Sequence, residues 1–290
     1  MYEGVIVPVI TPTKNGLLYE EGLRNVVNFL IERGIHGFFI AGTYGLGPAM
    51  SVSERKRVAE IVVDEVRGSN TTIVMVGSSS LDDSIELAKH AQDIGADAIS
   101  SVPPFYYAYD EKSILSFFKA LLNSVSIPVF AYNNPARTGN PLSAKLLNKL
   151  ASEGVIGLKD SSFDIIKFYE FITTVERKDF IFIIGTEALM FPAILAGARG
   201  CISGLANAFP EIVLEEYELI KQKKYEEASL KQLQIIRIRE AIHKVPTIPA
   251  IFEILRMKGI DVGYPKPPYR SLEEHEVKAL EESLRTLNIL

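Results

Sequence analysis

One lysine, Lys159, stands where an apolar segment ends, and its type and position could support covalent chemistry. The segment Gly154–Asp160 is typical of a buried strand with Lys159 at its mouth. Burial disfavours the charged form of an amine and lowers its pKa, and a neutral amine can attack a carbonyl group to form a Schiff base. The segment Tyr132–Gly139, one strand-helix unit upstream, supplies a phenol at Tyr132 and a guanidinium at Arg137. Together these residues predict an enzyme that binds a keto acid through an imine.

Lys159 also has a purely structural interpretation, because lysine side chains usually stay in water. In that interpretation it pairs with the neighbouring Asp160 at the end of the strand and points into solvent. The choice between the two depends on the elements that position the lysine.

Short apolar, β-branched segments alternate with longer amphipathic segments eight times along the chain. This order predicts a parallel sheet with crossover helices, and eight units close as a (β/α)8 TIM barrel, an α/β fold. The predicted strands are Val5–Ile10, Gly37–Ile40, Ile73–Val76, Ala98–Val102, Val129–Tyr132, Val155–Lys159, Phe180–Ile184 and Gly200–Ser203. The predicted helices are Tyr19–Arg33, Ser53–Val66, Ser80–Ile94, Glu111–Ser124, Ser143–Ala151, Asp164–Thr174, Ala188–Ala196 and Pro210–Gln222.

Three more helices are predicted after the eighth unit, at Tyr225–His243, Pro249–Met257 and Leu272–Leu287. They indicate a C-terminal three-helix appendage packed on the barrel. We therefore expect a catalytic barrel at residues 1–223 and a C-terminal helical extension at residues 224–290.

Composition excludes several classes of function. The chain has 290 residues and a net charge of −5 without a basic tract, which argues against nucleic-acid binding. Its four histidines are scattered and its single cysteine, Cys201, has no partner, so we expect no metal and no cofactor. No apolar segment reaches membrane-spanning length and no signal peptide is evident, so we expect a cytoplasmic protein that does not bind membranes.

Polar residues follow several of the predicted strands, at the barrel face where active sites form. Ala41–Pro48 is rich in glycine, and its backbone N–H groups could form a nest for a carboxylate, although such turns also occur without a ligand. Tyr106 follows the fourth strand, and Tyr132 and Lys159 end the fifth and sixth. Several hydroxyl groups and one amine on a single face suit imine chemistry, which needs a nucleophile and an acid/base beside it.

Three motifs in this order resemble the dihydrodipicolinate synthase/N-acetylneuraminate lyase family of class I aldolases. The motifs are Gly42–Gly45 after the second strand, Tyr132–Pro135 after the fifth and Gly157–Asp160 after the sixth, and the resemblance covers essentially the whole chain. It implies that Lys159 forms a Schiff base with pyruvate or a 2-keto acid, and that Tyr132 is the acid/base near the imine.

The resemblance also implies roles for four further residues. Thr43 and Tyr106 would complete a hydroxyl relay, with Tyr106 reaching into the site of a neighbouring subunit. Gly185 and Ile202 would line the pocket near the imine. Because the family usually forms tetramers, we expect a homotetramer.

Individual residues favour different branches of the family. Leu46 and the C-terminal segment Gly259–Pro268 are similar to archaeal 2-keto-3-deoxygluconate aldolases, whereas Arg137 is similar to the synthase arginine that binds the carboxylate of aspartate semialdehyde. Tyr44 departs from the family, which has a small hydroxyl residue there in contact with the pyruvate carboxylate. Its ring is expected to narrow the substrate-binding pocket or to move the second substrate.

The first hypothesis is therefore a carbon-carbon lyase that acts on pyruvate and a short aldehyde and cleaves or forms a 2-keto-3-deoxy sugar acid. The second is a 4-hydroxy-tetrahydrodipicolinate synthase that condenses pyruvate with aspartate semialdehyde; Arg137 favours it and Leu46 opposes it. The third is a keto-acid-binding protein without catalysis, its site altered by Tyr44.

Overall fold

A closed barrel of parallel strands forms the centre of the molecule in a computed structural model that describes residues 2–290. Around the barrel each strand is hydrogen-bonded to two neighbours, and the last strand closes onto the first. In the order of the chain the barrel strands are β1 (Gly4–Val7), β4 (Gly37–Ile40), β5 (Thr71–Met75), β6 (Ala98–Ser101), β7 (Val129–Asn133), β8 (Gly157–Asp160), β9 (Ile181–Ile184) and β10 (Gly200–Ile202). The predicted TIM barrel is confirmed.

Helices surround the barrel and continue beyond it. The helices of the barrel are α1 (Glu20–Glu32), α2 (Val52–Val66), α3 (Leu81–Asp93), α4 (Glu111–Ser124), α5 (Pro135–Thr138), α6 (Ala144–Glu153), α7 (Ile165–Thr174), α8 (Met190–Leu195) and α9 (Pro210–Lys221). The C-terminal helices are α10 (Tyr225–Ile242), α11 (Thr247–Met257) and α12 (Glu274–Thr286). No helix in residues 2–290 is both long and apolar enough to cross a membrane.

The structure differs from the sequence prediction mainly at element ends. The first predicted strand stops at Val7, because Pro8 has no N–H to continue the ladder. The helix expected at Ala188–Ala196 is a 3-10 turn followed by α8, which ends at Leu195. A small hairpin of β2 (Thr13–Lys14) and β3 (Leu17–Leu18) was missed.

The missed hairpin had a sequence signal in the pair Asn15-Gly16. Both residues have positive φ, 55° and 78°, which is the conformation of a tight hairpin turn that favours this pair.

Side chains along the barrel strands alternate between the interior and the layer of helices, as the pleat requires. The interior contains Ile6, Phe39, Phe130 and Ile183, all less than 2% exposed. The alternate positions face the helices and join the larger core between barrel and helices. An inward residue at the last position of a strand therefore faces the mouth of the barrel.

The C-terminal helices pack on the barrel rather than standing apart from it. α10 lies along α9 and also contacts α12 and the 3-10 turn at Glu187–Leu189. The predicted boundary between residues 1–223 and 224–290 falls in the turn between α9 and α10. The division into two domains stays a prediction.

One carboxyl group is buried without a partner in the helix layer. Glu216 on α9 has no exposed surface, and neither of its carboxyl oxygens has a hydrogen-bond partner in residues 2–290. Burial, together with the negative charge of Glu187, raises the pKa of Glu216 to about 9, against the opposing effect of Lys231. The carboxyl group is therefore neutral in the folded protein near neutral pH.

This burial predicts that stability falls as the pH rises. Between pH 4.5, the ordinary pKa of a glutamate, and about 9, the folded protein holds a proton that the unfolded chain has lost. Glu216→Gln should remove this slope and raise the free energy of unfolding by roughly 3 kcal/mol at pH 7, with little change below pH 4.5. Urea unfolding of both proteins at several pH values across this range measures the free energy of unfolding.

Glu218→Gln is the matched control, since Glu218 is exposed on the same helix and should leave the slope as it is. An equal pH slope in the wild-type protein and the Glu216→Gln protein would contradict the assignment.

Candidate active site

Lys159 lies inside the mouth of the barrel. It pairs in register with Tyr132 of β7 and Ile183 of β9, and all three side chains face inward. Its exposed fraction is 4%, and its Nζ lies 3.8 Å from the ring centroid of Phe39 and 4.0 Å from that of Tyr132. No carboxylate in the described part of the chain forms an ion pair with it.

The solvent-facing interpretation of Lys159 is wrong, because strand alternation sends its neighbour to the other side. Asp160 faces the helix layer, where it accepts hydrogen bonds from Asn133 Nδ2 at 2.7 Å and Ser162 Oγ at 2.6 Å. Burial lowers the pKa of Lys159, only partly opposed by Tyr132. The amine therefore loses its proton more readily than an ordinary lysine does.

The phenol of Tyr132 stands beside this amine and is 2% exposed. Its oxygen lies 3.2 Å from Thr43 Oγ1 and accepts a hydrogen bond from Asn134 Nδ2 at 3.0 Å. Burial raises the pKa of Tyr132, but Lys159 and the hydrogen bonds from its neighbours more than offset it, so the pKa is lowered overall. Because the phenol lies beside the amine, it is placed to give a proton to, or take one from, a group bound at Lys159.

Asn134 was not expected from the sequence. It follows Tyr132 by two residues and therefore lies on the same side of the chain, so the spacing was an available signal. Its backbone carbonyl accepts hydrogen bonds from Arg137 and Thr138, both 3.0 Å long, and begins the short helix α5. The same residue thus orients the phenol and positions the loop that carries Arg137.

The loop after β4 brings Thr43 and Tyr44 to the barrel mouth. Its tight path requires glycine at Gly47, where a Cβ atom would lie 1.8 Å from the carbonyl oxygen of Ala41. The loop closes through a hydrogen bond from Gly47 N–H to Gly42 O of 3.0 Å. The backbone N–H groups of Thr43 and Tyr44 donate to no backbone carbonyl in residues 2–290, and both residues lie at the barrel mouth.

These groups surround one cavity of about 900 Å³ at the carboxyl ends of the strands. Seven of the eight residues selected from the sequence line it: Thr43, Tyr44, Tyr132, Arg137, Lys159, Gly185 and Ile202. Arg137 is exposed and forms no ion pair in the described residues, so its guanidinium can bind an anion.

Tyr106 is the exception, because it does not line the cavity of its own chain. Its side chain is 85% exposed and its ring packs edge-on against Tyr107, with centroids 5.0 Å apart. Its backbone has φ of 83°, a left-handed conformation that costs free energy for a tyrosine. Asn140 holds the loop by donating to the carbonyl oxygens of Pro104 and Tyr107, each at 2.8 Å.

The C-terminal helices contribute a wall that the sequence did not predict. The same cavity is lined by four residues of the predicted extension, namely Arg239, His243, Thr247 and Tyr269. No motif marks them, since they lie far from the strand ends in sequence and meet the barrel only through packing.

A buried ion pair joins this wall to the barrel. Arg239 pairs with Glu187, which also accepts a hydrogen bond from Ser203 Oγ at 2.7 Å. Burial alone would raise the pKa of Glu187, but Arg239 and Ser203 lower it overall, so the carboxylate stays ionised. The pair neutralises Arg239, whereas the guanidinium of Arg137, which lines the same cavity, forms no ion pair in the described residues.

A TIM barrel with a buried lysine and tyrosine at its carboxyl face belongs to the class of barrel enzymes whose catalytic groups stand on strand ends. The model of the dihydrodipicolinate synthetase family matches residues 1–287. This chain belongs to that family and is an enzyme of its lyase and aldolase class.

Relatives and solved structures agree with this assignment. The chain is 35% identical over 292 residues to 4-hydroxy-tetrahydrodipicolinate synthase of Methanopyrus kandleri, covering 99% of this chain and 97% of that protein. It is similar, at a TM-score of 0.96, 27% identity and full coverage of both chains, to YagE, a prophage protein of E. coli K12 solved with pyruvate. The structure of CdNal of Clostridium difficile with mannosamine matches at a TM-score of 0.94 and 28% identity, covering 99% of each chain.

Proposed function

We propose that this protein is a Schiff-base aldolase that joins pyruvate to a short aldehyde, or cleaves the resulting 2-keto-3-deoxy sugar acid. The observation that carries this proposal is the buried amine of Lys159, which has no carboxylate partner and lies beside the phenol of Tyr132. A neutral amine is the form that attacks a carbonyl carbon. The solved complex of the similar protein YagE with pyruvate supports the choice of keto acid.

The proposed reaction begins at Lys159 Nζ, which attacks C2 of pyruvate. One proton from the amine and one from solvent, relayed through Tyr132 and Thr43, convert the carbonyl oxygen to water and leave a positively charged imine that keeps the second proton of the amine. Loss of a proton from C3 to the Tyr132 oxygen gives the enamine. Its C3 attacks the aldehyde carbon, the new alkoxide takes that proton, and water then hydrolyses the imine to release the product.

The loop after β4 is proposed to hold the carboxylate of pyruvate. Thr43 and Tyr44 line the cavity, their N–H groups donate to no backbone carbonyl in the described residues, and two adjacent backbone donors suit a carboxylate. Gly185 and Ile202 line the wall near the imine, where their small or apolar surfaces leave room for the methyl carbon of pyruvate. The reaction as proposed uses no cofactor and no metal.

Arg137 is proposed to bind the aldehyde partner. It is the unpaired guanidinium of the cavity, and such a group binds a carboxylate or a hydroxyl group of the substrate. This same observation favours a second candidate, a 4-hydroxy-tetrahydrodipicolinate synthase, whose aldehyde carries a carboxylate. The name of the Methanopyrus kandleri relative supports that candidate, whereas Leu46 favours the aldolase.

Tyr106 is proposed to act in the site of a neighbouring subunit of a homotetramer. Its exposed ring and its absence from the cavity of its own chain support this, because a hydroxyl relay needs it within reach of Thr43 and Tyr132. We also propose a cytoplasmic location for the assembled enzyme.

Borohydride trapping tests the imine. Reduction in the presence of pyruvate should leave an adduct on the peptide that contains Lys159, found by mass spectrometry. The trapping rate should rise with pH in a range below that of an ordinary lysine, since burial lowers the pKa of Lys159. Lys159→Ala should lose the adduct and lower kcat by about three orders of magnitude or more.

Lys167→Ala is the matched control for this experiment, because Lys167 lies on the surface of α7, paired with Glu170. It should keep both the adduct and the activity. A Lys159→Ala protein with near-normal turnover would reject the mechanism.

Mixing two inactive variants tests whether Tyr106 acts in the site of a neighbouring subunit. Tyr106→Phe and Lys159→Ala should each be inactive alone. In mixed oligomers, a subunit that keeps Lys159 receives an intact Tyr106 from its neighbour, so part of the activity should return. Subunit exchange is verified by mass spectrometry; exchange without recovered activity would contradict a role across the interface.

A comparison of two aldehydes separates the two candidates. The aldolase should have a higher kcat/KM with glyceraldehyde than with aspartate semialdehyde. Arg137→Met should lower kcat/KM by about 10- to 100-fold for the aldehyde that carries a carboxylate, because it removes a charged hydrogen bond. A preference of the wild-type protein for aspartate semialdehyde by orders of magnitude would establish the synthase instead.

A further inference from the structure

Tyr44 crosses part of the barrel mouth. It follows β4, and the tip of its ring reaches Gly204, which follows β10. Because β4 and β10 are the two neighbours of β1 in the closed barrel, the ring passes over the carboxyl end of β1, where Pro8 also lines the cavity. Both Tyr44 and Gly204 line that cavity.

Gly204 leaves the space that the ring occupies. A Cβ atom at this position would lie 2.3 Å from Cζ of Tyr44 and 2.6 Å from its hydroxyl oxygen. Real Cβ atoms do not approach other heavy atoms so closely, so any larger residue at position 204 would displace the ring. The two residues therefore form one steric unit.

The phenol end of Tyr44 is surrounded by polar residues of the cavity wall. Burial, and then the negative charge of Glu187, raise the pKa of Tyr44, so the phenol is neutral at physiological pH. Arg239 and Tyr269 are also near it. If the ring were absent, these groups would be open to the hydroxyl groups of a substrate.

We propose that Tyr44, seated against Gly204, is a specificity-determining residue that limits the length of the aldehyde. The ring blocks the side of the cavity near β10, so the aldehyde extends toward Arg137 on the β7 side, and short aldehydes such as glycolaldehyde and glyceraldehyde fit best. Longer polyhydroxy aldehydes such as arabinose need the space that the ring fills. This inference rests on the aldolase proposed above and names the size class of its second substrate.

Because the proposed limit on aldehyde length is steric, variants of Tyr44 and Gly204 should change the choice of aldehyde in specific ways. Tyr44→Thr should open the β10 side and raise the ratio of kcat/KM for arabinose to that for glyceraldehyde by about tenfold or more. Tyr44→Phe should leave this ratio near that of the wild-type protein, because the ring remains. Gly204→Ala should displace the ring and lower kcat/KM for both aldehydes.

The double variant supplies the decisive comparison. With Tyr44→Thr in place, no ring meets the new Cβ atom, so adding Gly204→Ala should change kcat/KM by less than about twofold. Such strong non-additivity is the sign of two side chains that act through direct contact. A general loss of stability from Gly204→Ala would instead persist in the double variant.

Each variant is first tested for folding by its melting temperature and for the pyruvate adduct by borohydride trapping. Tyr44→Ser replaces Tyr44→Thr if the latter does not fold. An unchanged aldehyde ratio in a folded, trapping-competent Tyr44→Thr or Tyr44→Ser protein overturns the proposal. A Tyr44→Phe protein that gains activity with arabinose also overturns the proposal, because the hydroxyl group rather than the ring would then determine which aldehydes react.

Failure of the proposed function has a different signature. A wild-type protein that traps no pyruvate adduct is not a Schiff-base aldolase. That result would reject both the proposed function and the proposed limit on aldehyde length. If the wild-type protein traps pyruvate but every variant has the same aldehyde ratio as the wild-type protein, the proposed aldolase function stands. Only the proposed role of Tyr44 is then rejected.

Discussion

The burial of one amine without a counter-ion is the constraint on which the site depends. Lys159 is 4% exposed, and aromatic rings rather than carboxylates surround its Nζ. A buried ammonium without a partner is costly, so burial lowers the pKa of Lys159 and shifts the amine toward its neutral form. The barrel supports this arrangement because Phe39 and Tyr132 stand on strands whose register is fixed by the ladder.

Closure of the barrel determines which groups meet around that amine. Thr43 and Tyr132 are far apart in the chain, yet their oxygens lie 3.2 Å apart because β4 and β7 end on the same face. Closure also makes β4 and β10 neighbours of β1, and only then can Tyr44 reach Gly204. An open sheet with the same strands would separate these pairs.

The C-terminal helices are part of the site and not only of the scaffold. The ion pair between Arg239 and Glu187 joins α10 to the end of β9, and Ser203 completes the hydrogen bonding of the carboxylate. A buried pair of this kind is poor evidence for stability, because desolvation offsets much of its attraction. The pair instead fixes the wall of the cavity and neutralises Arg239, so that Arg137 is the guanidinium of the cavity without an ion-pair partner in the described residues.

The sequence by itself determined the alternation of strands and helices, the position of Lys159 at a strand end and the resemblance to the family, because local hydrophobic patterns and short motifs encode them. It could not determine that Tyr106 lies outside its own cavity or that Arg239 lies inside it, since packing between distant segments decides both. It identified Tyr44 as a departure but not its partner. Gly204 becomes that partner only when the barrel closes, because contact across a closed sheet depends on strand order and register, which no local pattern records.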